Sequence, residues 1–344
     1  MSNSKIKLAD IALLAGVSKS TVSFVLNGHA EKHRITAETV EKVQRIVREH
    51  NYAPSLYARA LKSKKTFTVG LIIPDLTNMG FASIAKSLEF MLGEAGYQLL
   101  IASSNDDIET EKKAVHNLIE RQVDILLVAS AMSDDHFYRQ LNRALPIILF
   151  DRVFTDSAFI NIKTDAQSAT EEVVSHLIKQ NAECIFIGGQ LALSPSQDRL
   201  AGYQAAFKSA HMECNPQWLF CQDYQADSGY AMMAQAVDQL GRVPKAVFTA
   251  SYSLLEGVLR YLSEHQLLND SVRLATFDHY AILDCLPIKI DSIEQDSQAL
   301  AQALFDNALA QLDCATTSHH SEVIAAKVHY RTKPTIDEAE SLRN

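Results

Sequence analysis

Apolar residues near the start of the chain fall at helical spacing in two short stretches. Leu8, Ile11, Ala12 and Ala15 form one stripe, and Thr21, Val22, Val25 and Leu26 form a second. Between them Ala15-Gly16-Val17 breaks the period. Gly16 enters a left-handed turn without steric cost, and Ser18 stands where a hydroxyl caps the next helix. Lys19, Ser20, Ser23 and Phe24 lie off the second stripe. Two short helices around a Gly-containing turn, the second opening on small polar and basic residues, predict a helix-turn-helix. A helical hairpin inside a core is the plainer alternative. After the stop signal Asn27-Gly28-His29 and a polar loop, Thr36 caps a third helix. Val40, Val43, Ile46 and Val47 are its apolar stripe; Glu38, Glu41, Lys42, Arg45 and Arg48 form its solvated face. Pro54 disfavours helical geometry at Ala53 and ends it. Residues 55–62 are good helix formers, but about two turns do not hold as a helix alone in water. That run orders only against a partner, or is a basic linker.

From Phe67 the pattern changes. Apolar runs at 68–74, 98–103, 124–130 and 146–151 read as strands, with helices from Phe81, Glu109 and Asp134 between them. After Thr164 the alternation resumes with helices at 166–179, 199–210, 229–240 and 254–265. Strands at 184–188, 218–221, 246–250 and 273–277 separate them. Continuous apolar strands alternating with helices predict parallel sheets covered on both faces. The number of units fits two doubly wound lobes with a cleft between them, and ligands in such sheets bind beyond the carboxyl ends of the strands.

Charge sharpens this division. Residues 1–65 hold 12 Lys and Arg against 5 Asp and Glu, and the remainder holds 20 against 36. A basic head on an acidic body is the asymmetry expected when only the head meets nucleic acid. The cysteines, Cys184, Cys214, Cys221, Cys285 and Cys314, are odd in number and contain no CxxC, so they read as reduced thiols of a cytoplasmic protein. The histidines show no metal spacing, and neither GxGxxG nor GxxxxGK[ST] occurs. No cofactor, no metal and no enzymatic nucleophile–base set is expected. No apolar run approaches membrane-span length, so no membrane partner is expected.

The phrases LADIALLAGVSKSTVSFVLNG, REHNYAPSLYARALKS, GLIIPD, DRLAGY and ATFD together resemble the lactose-repressor family of bacterial transcription regulators, from about residue 5 to 331. Within it, SLYARALKSKKTFTVGLIIPDLTNMGF, ERQVDILLVAS and LSPSQDRLAGY are most similar to repressors of sucrose-utilisation operons. VREHNY, GYQLLIA and RQVD also resemble the fructose-responsive catabolite repressor/activator. The resemblance implies an α/β protein with a three-helix DNA-binding head at 1–54 and a hinge helix and linker at 55–66. A body resembling periplasmic binding proteins follows at 67–331, then a disordered tail at 332–344. It places one lobe at about 66–163 plus 291–322, and the other at 164–290 plus the last strand.

It also implies roles. Lys19 and Ser20 match positions that touch base edges, and Phe24 matches a third, where an apolar side chain can meet a thymine methyl. Ser18, Thr21 and Asn27 match phosphate-positioning residues, and Arg34 is a further phosphate candidate. Ala58 and Leu61 fall in the hinge run that pairs with its twin in the minor groove, with Leu61 as the wedge that kinks the duplex. In the body, Asp151 and Asp278 follow strand ends, where the cleft is expected, while Arg199 and Gln295 match cleft positions of the family, and Phe81 falls near an aromatic that a relative uses for stacking. Ser251-Tyr252 stands where members binding galactosides or ribose-like ligands often show Asn-Asp. The implied partners are a palindromic double-stranded operator, a second copy of the chain, and a small sugar effector, fructose or fructose 1-phosphate.

Overall fold

The computed structural model describes residues 6–52, 65–141, 145–179, 182–269, 271–313 and 320–331. By contacts the chain divides into two units, 1–66 and 67–344. In the first, α1 (Leu8–Ala15) and α2 (Lys19–Leu26) are bent by 103° at their break, inside the range of a helix-turn-helix. Gly16 makes that turn at φ 68°. The Ser18 hydroxyl accepts the Thr21 N–H at 3.1 Å and so caps α2. A third helix, α3 (Ala37–Glu49), completes a small core of Ile11, Ala12, Ala15, Val22, Val25, Val43 and Ile46. The hinge run with Ala58 and Leu61, and the tail 332–344, lie outside the described residues.

Among its described residues the second unit holds two six-stranded sheets. The first has the order β11-β5-β4-β3-β1-β2 and is parallel throughout. Its strands are β1 (Thr68–Ile73), β2 (Gln98–Ser103), β3 (Ile125–Val128), β4 (Ile147–Phe150), β5 (Ile160–Thr164) and β11 (Ser321–Ile324). The second has the order β12-β10-β9-β8-β6-β7, with only β12 antiparallel. It comprises β6 (Ile185–Gly188), β7 (Leu219–Cys221), β8 (Ala246–Thr249), β9 (Arg273–Phe277), β10 (Ile290–Glu294) and β12 (Lys327–His329). Central strands such as ILLV and IILF are buried at every residue, as a sheet covered on both faces requires. On the first sheet pack α4 (Met79–Glu94), α5 (Ile108–Glu120), the short α6 (His136–Gln140) and α11 (Ser297–Asp313). On the second pack α7 (Ala166–Ile178), α8 (Ser194–Ser209), α9 (Ala226–Leu240) and α10 (Tyr252–Glu264).

The chain passes between the lobes three times, after β5, after β10 and between β11 and β12. The second passage corrects the sequence-based boundary at 291. Strand β10 pairs in parallel with β9, so residues 290–294 stay in the second lobe, and α11 is the element that returns to the first. The boundary at 291 is the approximate one implied by the family resemblance, and no local pattern shows that residues 290–294 pair with β9. A second correction concerns α8, which begins at Ser194 rather than Arg199. Pro195 lies in its first turn, where a missing N–H costs nothing, and Arg199 is carried into the second turn. Strand β5 was also not assigned from sequence, because Asn161 and Lys163 interrupt its apolar pattern.

Helices α9 and α10 cross at glycines. A Cβ on Gly257 would lie 1.9 Å from the Ala226 carbonyl oxygen, and one on Gly229 2.4 Å from that of Leu254. Backbone cannot yield as a side-chain tip can, so these positions set the helix separation. Gly257→Ala is expected to destabilise the body by about 1–3 kcal/mol, seen as a thermal-melting midpoint lower by about 2–4 °C per kcal/mol. An unchanged midpoint would show that the crossing can open.

Candidate functional sites

On the head, Lys19 and Ser20 are exposed in the first turn of α2. Thr21 and Ser18 share a hydroxyl hydrogen bond of 2.9 Å. The Asn27 amide donates to the Ser23 carbonyl at 2.7 Å, closing the last turn of the helix. Phe24 is half-buried, and its ring lies flat on His33, with centroids 3.5 Å apart and planes 12° from parallel. Arg34 follows at φ 53° and is exposed. His33 received no role from sequence, because a polar loop gives no hint of which ring it will meet.

In the body, Phe81, Asp151, Arg199, Ser251, Asp278 and Gln295 come together in one cleft between the lobes. The geometry explains why. Asp151 and Asp278 directly follow β4 and β9, and both turn out of their strands in the left-handed region, at φ 58° and 72°. Such conformations cost free energy in a residue with a Cβ and collect at ligand sites. Arg199 is 6% exposed. Its Nη1 donates to the Ala250 carbonyl at 2.5 Å, and its guanidinium carbon lies 3.8 Å from the centre of the Phe277 ring. Its Nε is buried and finds no acceptor among the described residues. Ser251 caps α10 by accepting the Leu254 N–H at 3.2 Å. Phe81 meets Phe150 edge-on at 6.2 Å and forms the apolar wall. Gln295 stands on the passage from β10 to α11.

Sequence reasoning missed part of this cleft. Arg152, 6% exposed, pairs with Asp106 across the mouth of the first sheet. Asn105 and Asp106 both adopt positive φ, at 52° and 57°, which turns Asp106 toward that guanidinium. Asp75, Asn78 and Tyr224 also line the space. The Tyr224 hydroxyl shares a 2.7 Å hydrogen bond with Ser196. The lobes are bridged by Lys163 to Asp198 at 2.6 Å and by the Val153 N–H to the Ser194 hydroxyl at 2.9 Å. The free volume is about 60 Å³, well under the roughly 300–1,000 Å³ of small-molecule pockets. Its own side chains nearly fill the cleft.

Burial raises the Asp278 carboxyl above its ordinary range, and neighbouring Asp151 adds to this. Arg199 and the Tyr252 N–H, 3.3 Å away, pull the other way. The cleft therefore offers carboxylate acceptors, two guanidinium donors and an aromatic wall, which suits a polyhydroxylated ligand. No group of three or more His, Cys, Asp or Glu among the described residues is arranged to hold a metal ion. No single helix there is long and apolar enough to cross a membrane.

A helix-turn-helix head joined to a two-lobed α/β body with a polar interlobe cleft defines a ligand-responsive DNA-binding regulator. Residues 7–55 match the model of bacterial regulatory proteins of the lacI family, and residues 69–312 match that of the periplasmic binding protein domain. The chain is 45% identical over 307 residues to the sucrose operon repressor of Klebsiella pneumoniae, covering 89% of this chain and 92% of that one. It is 35% identical over 311 residues to the catabolite repressor/activator of Salmonella typhimurium, with 89% and 92% covered. The crystal structure of the Cra dual regulator from Pseudomonas putida, in complex with fructose 1-phosphate, superposes with a TM-score of 0.72 at 30% identity. That match covers 78% of this chain and 99% of the other. The chain belongs to the lacI family of bacterial regulatory proteins. It is a DNA-binding transcriptional repressor and not an enzyme.

The raised Asp278 carboxyl makes a stability prediction with a definite sign. An acid whose folded-state pKa lies above its unfolded value favours folding only while protonated, and that contribution is lost as pH rises through the folded-state pKa. Asp278→Asn is therefore expected to raise the melting midpoint of the body at neutral pH. The difference should vanish below the ordinary aspartate value of 3.8. A variant that melts lower than wild type at neutral pH would show that the ionised Asp278 stabilises the fold.

Proposed function

We propose that this chain represses a sucrose-utilisation operon as a homodimer and leaves its operator when fructose enters the cleft between its lobes. The observation that carries the effector reading is Arg199, a buried guanidinium whose Nε finds no acceptor among the described residues. A sugar hydroxyl supplies one, and Asp151 and Asp278 can accept hydrogen bonds from neighbouring hydroxyls. The 45% identity to a sucrose operon repressor supports the choice of operon. In this reading residues 1–54 bind DNA, 55–66 form the hinge and 67–331 bind the effector and dimerise. Lys19, Ser20 and Phe24 read bases, while Ser18, Thr21, Asn27 and Arg34 hold phosphates. Ala58 and Leu61 act in the minor groove.

Charge favours the neutral sugar. Asp75, Asp106, Asp151 and Asp278 line the cleft against Arg152 and Arg199, and carboxylates near a phosphate cost Coulomb energy. The second reading is fructose 1-phosphate within a broader catabolite repressor/activator role. It is favoured by the Pseudomonas putida complex and by Arg152, which would have to leave Asp106 to meet a phosphate. Either ligand acts by population shift. It must prefer one lobe arrangement over the one that binds operator, and the Lys163–Asp198 and Val153–Ser194 bridges are the contacts that a change in lobe arrangement would strain.

Operator binding titrated side by side with fructose, fructose 1-phosphate and sucrose separates these readings. Release by fructose at the lowest concentration is expected, with no turnover of any sugar. Arg199→Ala should keep operator affinity within about threefold and lose release by at least about tenfold in effector concentration, or about 1.4 kcal/mol. Wild-type release by that variant would exclude the cleft as the effector site.

A further inference from the structure

The loop after α2 is built around Phe24. Gly28, at φ 72°, reverses the chain at the end of the helix. The His29 N–H then donates to the Phe24 carbonyl at 2.8 Å and ties the loop to that residue's backbone. The loop closes on itself through His33 N–H to the His29 carbonyl at 3.2 Å, Arg34 N–H to Glu31 at 3.0 Å and Ile35 N–H to Ala30 at 2.9 Å. This fold-back lays the His33 ring flat on the Phe24 ring at 3.5 Å. Phe24 is thus held twice by one loop, through its carbonyl and through its ring.

Phe24 is off the core stripe. Val22 and Val25 fill the core, and Phe24 is not among its buried members. A half-exposed phenylalanine on a free helix surface samples several rotamers, and freezing them on binding weakens any contact it makes. A stacked ring removes that loss beforehand, the usual gain of preorganisation. Lys32 and Arg34, exposed on either side of His33, provide charges suited to phosphates. The same loop therefore combines backbone positioning with support for a base-reading side chain.

We infer that His33 is a positioning residue for base recognition: its ring fixes Phe24 so that the free edge of the phenyl group meets a thymine methyl in the operator. The inference rests on the reading of α2 as the base-contacting helix. His33 acts through Phe24 and needs no base contact of its own. It adds specificity rather than gross affinity, since affinity for random duplex comes mainly from charge.

The test uses the full-length protein and an operator selected from a random duplex pool. Each thymine is replaced singly by deoxyuridine, which removes only the methyl group. Wild type should lose affinity at one thymine per half-site. Phe24→Ala and His33→Ala should each lower operator affinity about threefold to tenfold, equivalent to about 0.6–1.4 kcal/mol, and each should abolish the thymine–deoxyuridine difference. The double variant should lose no more than either single one. His33→Tyr, which keeps a stacking ring, should restore the difference. Affinity for random duplex and its salt slope should stay at wild-type values in all variants, which establishes a folded head. If Phe24→Ala keeps the methyl discrimination, the reading of Phe24 in α2 fails. If Phe24→Ala loses it while His33→Ala keeps it, that reading stands and the role of His33 is overturned.

Discussion

The Arg199 guanidinium is the group on which the cleft depends. Taking such a cation out of water costs several kcal/mol. Its partners return part of this. The Phe277 ring contributes about 2 kcal/mol as a desolvated cation–π contact, and a charged hydrogen bond to the Ala250 carbonyl contributes about 1.5–3 kcal/mol. The Nε stays without an acceptor among the described residues, a deficit of about 1–3 kcal/mol. The site is therefore polarised before any ligand arrives. A hydroxyl that reaches the Nε removes a cost already present in the protein, and an apolar ligand does not.

Around that cation the lobes hold each other through polar contacts. Val153 and Lys163 of the first lobe meet Ser194 and Asp198 on α8, the helix that carries Arg199. A shift of α8 is felt at once by the cleft and by both bridges. The three chain passages, one of them at Gln295 in the cleft wall, restrict how the lobes can move. This is the arrangement a switch needs, with the ligand's donors and acceptors divided between two bodies that share few covalent connections.

Much of this was legible in the sequence. The ILLV and IILF runs, alternating with amphipathic helices, announce covered parallel sheets, and Gly16-Val17-Ser18 marks the turn and cap of the head. Asp151 and Asp278 were placed by the rule that ligands bind beyond strand ends, and Arg199 and Gln295 by resemblance to the family. Other features depend on pairings that no local pattern carries. The Arg152–Asp106 pair joins the end of β4 to the turn after β2, residues far apart in sequence. The lobe boundary at 291, implied by the family resemblance, cut into β10, whose pairing with β9 no local pattern reveals. The start of α8 was missed because Ser-Pro-Ser reads as loop until Pro195 is seen to occupy a first helical turn. The Phe24–His33 stack needs the fold-back at Gly28, and a polar loop does not reveal it.

The central claim is that cleft and operator are coupled through one conformational equilibrium. Such coupling is reciprocal, so if fructose is the effector proposed, the factor by which it weakens operator binding must equal the factor by which operator weakens fructose binding. Fructose affinity measured calorimetrically on the free protein and on the operator-saturated protein tests this directly. Fructose is expected to bind more weakly on the operator, by the factor found in the DNA titration. Equal fructose affinities with and without operator would contradict it.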